Sequence, residues 1–435
     1  MNINPAGISE AGAARPRARA LTEYFTAEHG FDAEKHIAGA VIYRRRDRRR
    51  GPQRIVVKHS PNESGDPDVD SEERILRRLW GAEHIIRLMS IADDRDHRTA
   101  EWNQPLNRPR LIPRSLLPWK LGVDEFIYPR IAAFRFFVME YLSRGTAEEL
   151  IEKCNERGIV EISEPLLWYF FLCLARGCVA MAYPPNEGNN EPRATVRETM
   201  PVPGQAPSLL SHADLHLGNV MFGEYNPRNA QPSCHQVTPI LKILAWHMMS
   251  NRKSVLFGAP DDESNKAAKH RPEDAQRDNI KWVGELMHQL AVVEMDEVID
   301  DDDRSGTEVT VAGEEEEEEA GFETLASAEF CGGGRFSREF RDLVCLCLAR
   351  EHERRPLAQD VLDACQRNVA RTPNWRHLAD EVADLFDAAD DGRSSRRRGR
   401  RRRDDDAGDR NYRGRRQDDD DNANANDRNY RVRRA

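Results

Sequence analysis

Short apolar runs occupy the first third of the chain, and longer helical periodicities follow. Two runs, "HIAGAVIYRRR" and "RIVVKHS", are β-rich and are joined by the basic, Gly-Pro-containing segment Arg44 to Pro52, which predicts a hairpin. In "DSEERILRRLWGAEHIIRL", Ile75, Leu76 and Leu79 recur at helical spacing behind an acidic start, as a helix N-terminus favours. After a Pro-dotted stretch, "AFRFFVMEYL" has the length and aromatic content of a buried strand.

Residues 164 to 183, "EPLLWYFFLCLARGCVAMAY", are apolar nearly all round and bounded by Pro165 and Pro184, which suits the central helix of a larger lobe. The segment is near the length of a membrane span, but Arg176 in its midst is costly in lipid and favours a protein core. Residues 185 to 208 are polar and Pro-rich and read as a loop insertion. "HADLHLGNVMF" follows and ends like a strand; a second loop, 223 to 238, leads to the strand-like "PILKILAW". "DNIKWVGELMHQLAVV" predicts an amphipathic helix, residues 294 to 320 an acidic loop, and "FRDLVCLCLAREHERRPLAQDVLDACQRNVA" two helices broken at Pro356.

Composition changes the picture mainly at the ends. A chain with 39% hydrophobic and 32% charged residues suits a globular body with polar extensions. Residues 1 to 30 open with Ala, Pro, Gly and Arg and read as a flexible leader, while 386 to 435 are rich in Arg and Asp and too poor in apolar residues to fold. The net charge of −10 hides segregation, with Glu314 to Glu319 in one run and Arg396 to Arg403 in another. Tyr412 and Tyr430 sit among Arg and could stack on RNA, and Arg396 to Arg403 could serve nuclear import. The interleaved Asp cancel the attracting field, so a solvated tail is the favoured reading. Eight Cys occur without a CxxC pair, which suggests neither a metal site nor a disulfide framework. The N-terminus carries no apolar signal-type region, and the expected location is intracellular, cytoplasmic or nuclear, with no membrane partner.

The candidate chemistry lies in "HADLHLGNV". Asp214 stands five residues before Asn219, a spacing that suits a loop for phosphoryl transfer, which requires a proton acceptor and a metal holder. The chain here resembles the eukaryotic protein kinase superfamily, serine/threonine type, over about Lys35 to Ala370. "HADLHLGNV" is similar to the catalytic loop HRDLKxxNV, "IVVK" to the VAIK strand, "EERIL" to the following helix, "FFVMEYL" to the hinge and "EHERRPLAQDVL" to the closing RP-containing helices. The resemblance implies an α+β, bilobal kinase-like fold, with a small β-rich lobe from 31 to 142 and a helical lobe from 143 to 385. It implies ATP and Mg²⁺ as cofactors. Asp214 would be the base, Asn219 a Mg²⁺ ligand, and Lys58 the phosphate contact paired with Glu72. Gly39 would lie under the phosphates, Met139 at the gatekeeper position, and the Glu140 carbonyl and Leu142 amide against adenine.

The sequence departs from that pattern at informative places. Ala245, Trp246 and His247 stand where the family carries DFG, and a methyl group binds no metal. His247 is a poor substitute, because Mg²⁺ prefers oxygen. Only Gly39 remains of the glycine-rich loop, Ala213 replaces the Arg of HRD, His216 stands where a Lys is usual, and Asn279 falls where an Asp is expected. The resulting expectation is a catalytically impaired pseudokinase that binds or scaffolds a protein partner and keeps residual ATP binding. An active serine/threonine protein kinase is the alternative. A second alternative, resting on "HxDxHxxN" and "LAW", is a small-molecule phosphotransferase of the aminoglycoside or choline kinase type.

Overall fold

The computed structural model describes residues 7–37, 39–47, 53–60, 62–89, 135–186, 195–224, 235, 238–244, 271–294, 306–310, 321–372 and 375–386. The described chain is mixed α+β, with a small antiparallel sheet and several helices.

The sheet has the order β1 (Phe31–Ile37), β2 (Ala40–Arg45), β3 (Arg54–His59), β4 (Phe136–Glu140), every neighbour antiparallel. The predicted hairpin is therefore β2–β3, registered with Ala40 opposite Lys58. Because successive side chains on a strand point to opposite faces, register sorts this sheet into two surfaces. Val41, Val57 and Val138 lie across from one another on one face, and Ala40, Lys58 and Phe137 on the other.

The first face is covered by α1 (Gly7–His29), whose Ala18, Leu21 and Phe25 pack into one cluster with Val41, Tyr43, Ile55, Val57 and Val138. This corrects the expected leader at 1 to 30. The apolar positions recur at three- and four-residue steps between Arg and Thr, and Arg17 pairs with Asp66 at 2.7 Å, fixing the helix to the start of α2 (Asp66–Arg78). On α2 the buried positions are Val69, Glu72, Glu73 and Leu76, a helical stripe with carboxylates inside it.

In the helical part, α3 (Ala147–Glu156) is started by Thr146, whose side chain accepts from the Glu149 backbone N–H while the Glu149 carboxylate returns the bond. The predicted central helix is α4 (Glu164–Ala182). It is long and apolar enough for a membrane span, yet it is buried inside the protein, with Arg176 included. It packs against α5 (Pro272–Val292) and, past the short α6 (Ala328–Gly332) and α7 (Arg338–Cys347), against α8 (Ala358–Arg371); α9 (Trp375–Phe386) follows. The "HADLHLGNVMF" strand is β5 (Val220–Phe222), paired antiparallel with β6 (Leu241–Ile243). Part of the expected acidic loop at 294 to 320 is instead a strand. Thr307–Val309 (β7) pairs with Phe322–Thr324 (β8), where β-branched and aromatic residues favour strands within a stretch whose composition is dominated by acidic residues. The tail from 387, the Ala245-Trp246-His247 triplet and most of the loop at 223 to 238 lie outside the described residues.

Candidate functional site

Lys58 lies one residue before the end of β3, on the face away from α1, and α2 presents Glu72 to it. The two form a direct Nζ–Oε2 ion pair, both side chains buried. Burial pulls the Lys58 amine below its ordinary value, while Glu72, and more weakly Asp68, pull the other way. A carboxylate in the apolar stripe of α2 would be costly alone, so each charge is the reason the other can be inside.

The loop before β5 is held by its own polar groups and by one side chain from α5. Asn279 brackets it: its Oδ1 accepts from the His212 backbone N–H at 2.8 Å, and its Nδ2 donates to the Leu210 carbonyl at 2.9 Å. The Asp214 N–H donates to the His212 carbonyl at 2.7 Å, closing a three-residue turn around Ala213. Ala213 has φ 53°, the left-handed region, so this is the rare and strained form of γ-turn. The Asn219 Nδ2 donates to the Asp214 carbonyl at 2.7 Å, which orients the amide oxygen away from that bond. The His216 Nδ1 accepts from the Gly218 N–H at 3.1 Å and caps the short turn Leu217–Asn219. The ring of His212 bonds to the Leu244 carbonyl, and burial lowers its basicity, opposed by that bond and by Asp214.

These two groups of residues are joined through the end of β4. The Glu140 Oε1 accepts from the Arg87 N–H at 2.8 Å and pairs with the Lys242 Nζ of β6 at 2.6 Å. Leu142 is buried just beyond, where a side chain on Gly223 would stand 3.1 Å from its Cδ2, so the glycine permits the approach. The Arg144 N–H donates to the Phe222 carbonyl at 3.1 Å. Thus Glu140 and Leu142 lie against the β5–β6 hairpin that carries the Asp214–Asn219 loop, while Lys58 lies opposite Phe137 on the strand that ends at Glu140. Met139 is buried on the same strand. Gly39 occupies the β1–β2 turn with φ 68°, and its carbonyl accepts from the His59 N–H at 2.8 Å.

Lys242 was not anticipated. The signal is visible in hindsight, since a lone Lys inside "ILKIL" is a charge in an apolar strand and therefore asks for a buried partner. No known family matches the chain, and no curated protein matches it.

Proposed function

We propose that the chain is a divergent, bilobal protein-kinase-like domain that retains a nucleotide cradle, has lost most of its capacity for phosphoryl transfer, and works by binding a protein partner. The observation that carries this reading is the buried Lys58–Glu72 pair. A strand-end amine held between a helix carboxylate and a hairpin turn is suited to the α- and β-phosphates of ATP, and its burial has a purpose if it meets an anion.

Further support comes from the loop. Asp214 and Asn219 are fixed to each other, and Asn279 fixes the backbone ahead of them, as a rigid reaction loop would require. The residues fit a nucleotide better than its metal: Asn219 offers one amide oxygen, and Ala245 offers none. Bound Mg²⁺ supplies the charge that steadies the transferring phosphoryl group, and with one carboxylate ligand missing that contribution falls. The fixed Asp214–Asn219 geometry favours, as a second reading, an active serine/threonine protein kinase with reduced metal dependence. The small-molecule phosphotransferase reading is weaker, because His216 is used to cap its own turn.

Thermal denaturation of the full chain with ATP, with and without Mg²⁺, tests the proposal. A ligand at a hundred times its Kd adds about 2.7 kcal/mol to the folded state, a readily measured shift. The expected result is a rise with ATP that depends little on Mg²⁺ and disappears in Lys58→Met. No rise at ATP well above cellular levels would sink the nucleotide cradle, and a Mg²⁺-dependent rise with turnover would move the assignment to the active kinase.

A further inference from the structure

A second buried polar centre lies away from the Lys58–Glu72 pair and the Asp214 loop. His84 follows α2, Cys173 lies on α4, His235 lies between β5 and β6, and Glu198 comes from the segment after Ala182. All but Cys173 are polar or charged residues in the core, and Cys173 is buried with them. The Nε2 atoms of His84 and His235 face each other at 3.1 Å, and the Cys173 Sγ completes a group in which every donor atom lies within 4.8 Å of the others. Behind His84, its Nδ1 meets the Glu198 Oε2 at 2.7 Å, and its backbone N–H donates to the Glu198 Oε1 at 2.9 Å.

We propose that His84, His235 and Cys173 form a zinc site of three protein ligands, with Glu198 as the outer carboxylate that orients His84. The chemistry runs from the carboxylate inward. A carboxylate accepting from Nδ1 fixes the proton on that nitrogen and leaves the Nε2 lone pair aimed at His235, the arrangement that supports a metal-bound imidazole. In a tetrahedral zinc site with bonds near 2.0–2.1 Å, ligand nitrogens stand about 3.3 Å apart, close to the separation seen. A hydrogen bond between two imidazoles would account for the 3.1 Å contact alone. Zinc accounts in addition for the placing of a thiol within reach of both rings. Two imidazoles and a thiolate select zinc over Mg²⁺ or Ca²⁺, which take oxygen, so the site is chemically separate from any nucleotide metal. A water fills the fourth position in the simplest case.

The surrounding backbone is arranged to hold these donors still. The His84 carbonyl accepts from the Ile243 N–H at 2.9 Å, and the Ile86 N–H donates to the Ile243 carbonyl at 3.0 Å, clamping the His84 segment to β6. Gly177, one helical turn beyond Cys173, has no side chain where a Cβ would come 2.5 Å from the Ile243 Cδ1, so α4 can approach closely enough to bring Cys173 in. A metal here would pin the segments carrying Glu198 and His235 onto the core helix, a stabilising role that does not depend on phosphoryl transfer.

The test is metal analysis of the full chain expressed with zinc and purified without chelator, followed by titration of the metal-free protein with Zn²⁺ and with Co²⁺. The expected result is stoichiometric zinc, a thiolate-to-cobalt charge-transfer band, and a higher melting temperature with zinc. Cys173→Ser should remove the charge-transfer band, and Glu198→Gln should weaken zinc binding about 10–100-fold while leaving the band in place at saturation. If a variant fails to fold, the wild-type cobalt spectrum still decides. Zinc content no higher than that of a Cys173→Ser/His235→Gln double variant, or a cobalt complex without a thiolate band, would overturn the proposal.

Discussion

Among the described residues, the buried carboxylates Glu72 and Glu198 both meet nitrogen partners, and they are accommodated by different means. Glu72 meets the Lys58 amine, a titratable charge on a flexible stem, so its compensation comes chiefly from a side chain that a substitution can remove. Glu198 meets His84 twice, through the ring and through the backbone N–H, so part of its compensation comes from a donor that no side-chain substitution removes. In the metal-free protein, burial pushes the Glu198 carboxyl up, yet the charge and hydrogen bonds of His84 outweigh it and leave the group below its usual value. The difference teaches that equal burial does not mean equal sensitivity to losing the partner.

The largest expected effect breaks the first member of the pair. Lys58→Met should destabilise the protein by about 3–5 kcal/mol, since it strands a buried carboxylate, and the Lys58→Met/Glu72→Gln double variant should recover much of that loss. Denaturant melts of the four proteins in the cycle measure it; additive losses would mean the two side chains are not coupled. The matching change at the second centre, Glu198→Gln in metal-free protein, should cost about 1–3 kcal/mol, because the amide keeps an oxygen for the backbone N–H. A loss as large as that of Lys58→Met would erase the distinction between the centres.

Acidification sharpens the comparison from the neighbouring residue. Buried His59 is held below its ordinary value of 6.5, chiefly by burial and against its bond to the Ser60 carbonyl, with Arg17 and His36 as the nearby charges that also lower it. The unfolded chain therefore binds a proton near that pH that the folded chain refuses, so stability falls as pH drops through 6.5 toward the folded value. Melting temperatures between pH 7 and 5 should decline, and less steeply in His59→Gln; an unchanged slope would remove His59 from the account. The smallest effect concerns the strained turn. Ala213→Gly should leave stability within about 1 kcal/mol of wild type, because relief at positive φ offsets the lost backbone restriction. A clear loss in urea melts would show that the left-handed geometry carries no strain.

Legibility followed the range over which each feature is encoded. The elements α4, α5, β2 and β3 have strong local periods and lie where the sequence predicts them. Helix α1 was missed because Ala18, Leu21 and Phe25 are diluted by Arg and Thr behind Pro16, and its role depends on a sheet made later in the chain. Strand β1 exposes most of its side chains and is defined by pairing with β2, a tertiary cause with no local trace. At the proposed nucleotide site, Lys58, Glu72, Asp214 and Asn219 were readable because each sits in a short patterned stretch. Lys242 and the bracketing bonds of Asn279 required the fold. The donors His84, Cys173 and His235 come from distant segments, so counting cysteine spacings could not assemble them.

Helix α1 also sets a timetable for synthesis. Its Phe25 ring packs at 6.0 Å on Phe136, a residue translated long after it. At bacterial-to-eukaryotic elongation speeds of about 5–20 residues per second, the ribosome takes on the order of 5–20 s to pass from one to the other. During that interval the apolar side of the helix has emerged and its sheet does not yet exist. Helix α1 is thus a cap made before its vessel, with an apolar side that a nascent-chain chaperone could shield until the sheet is complete.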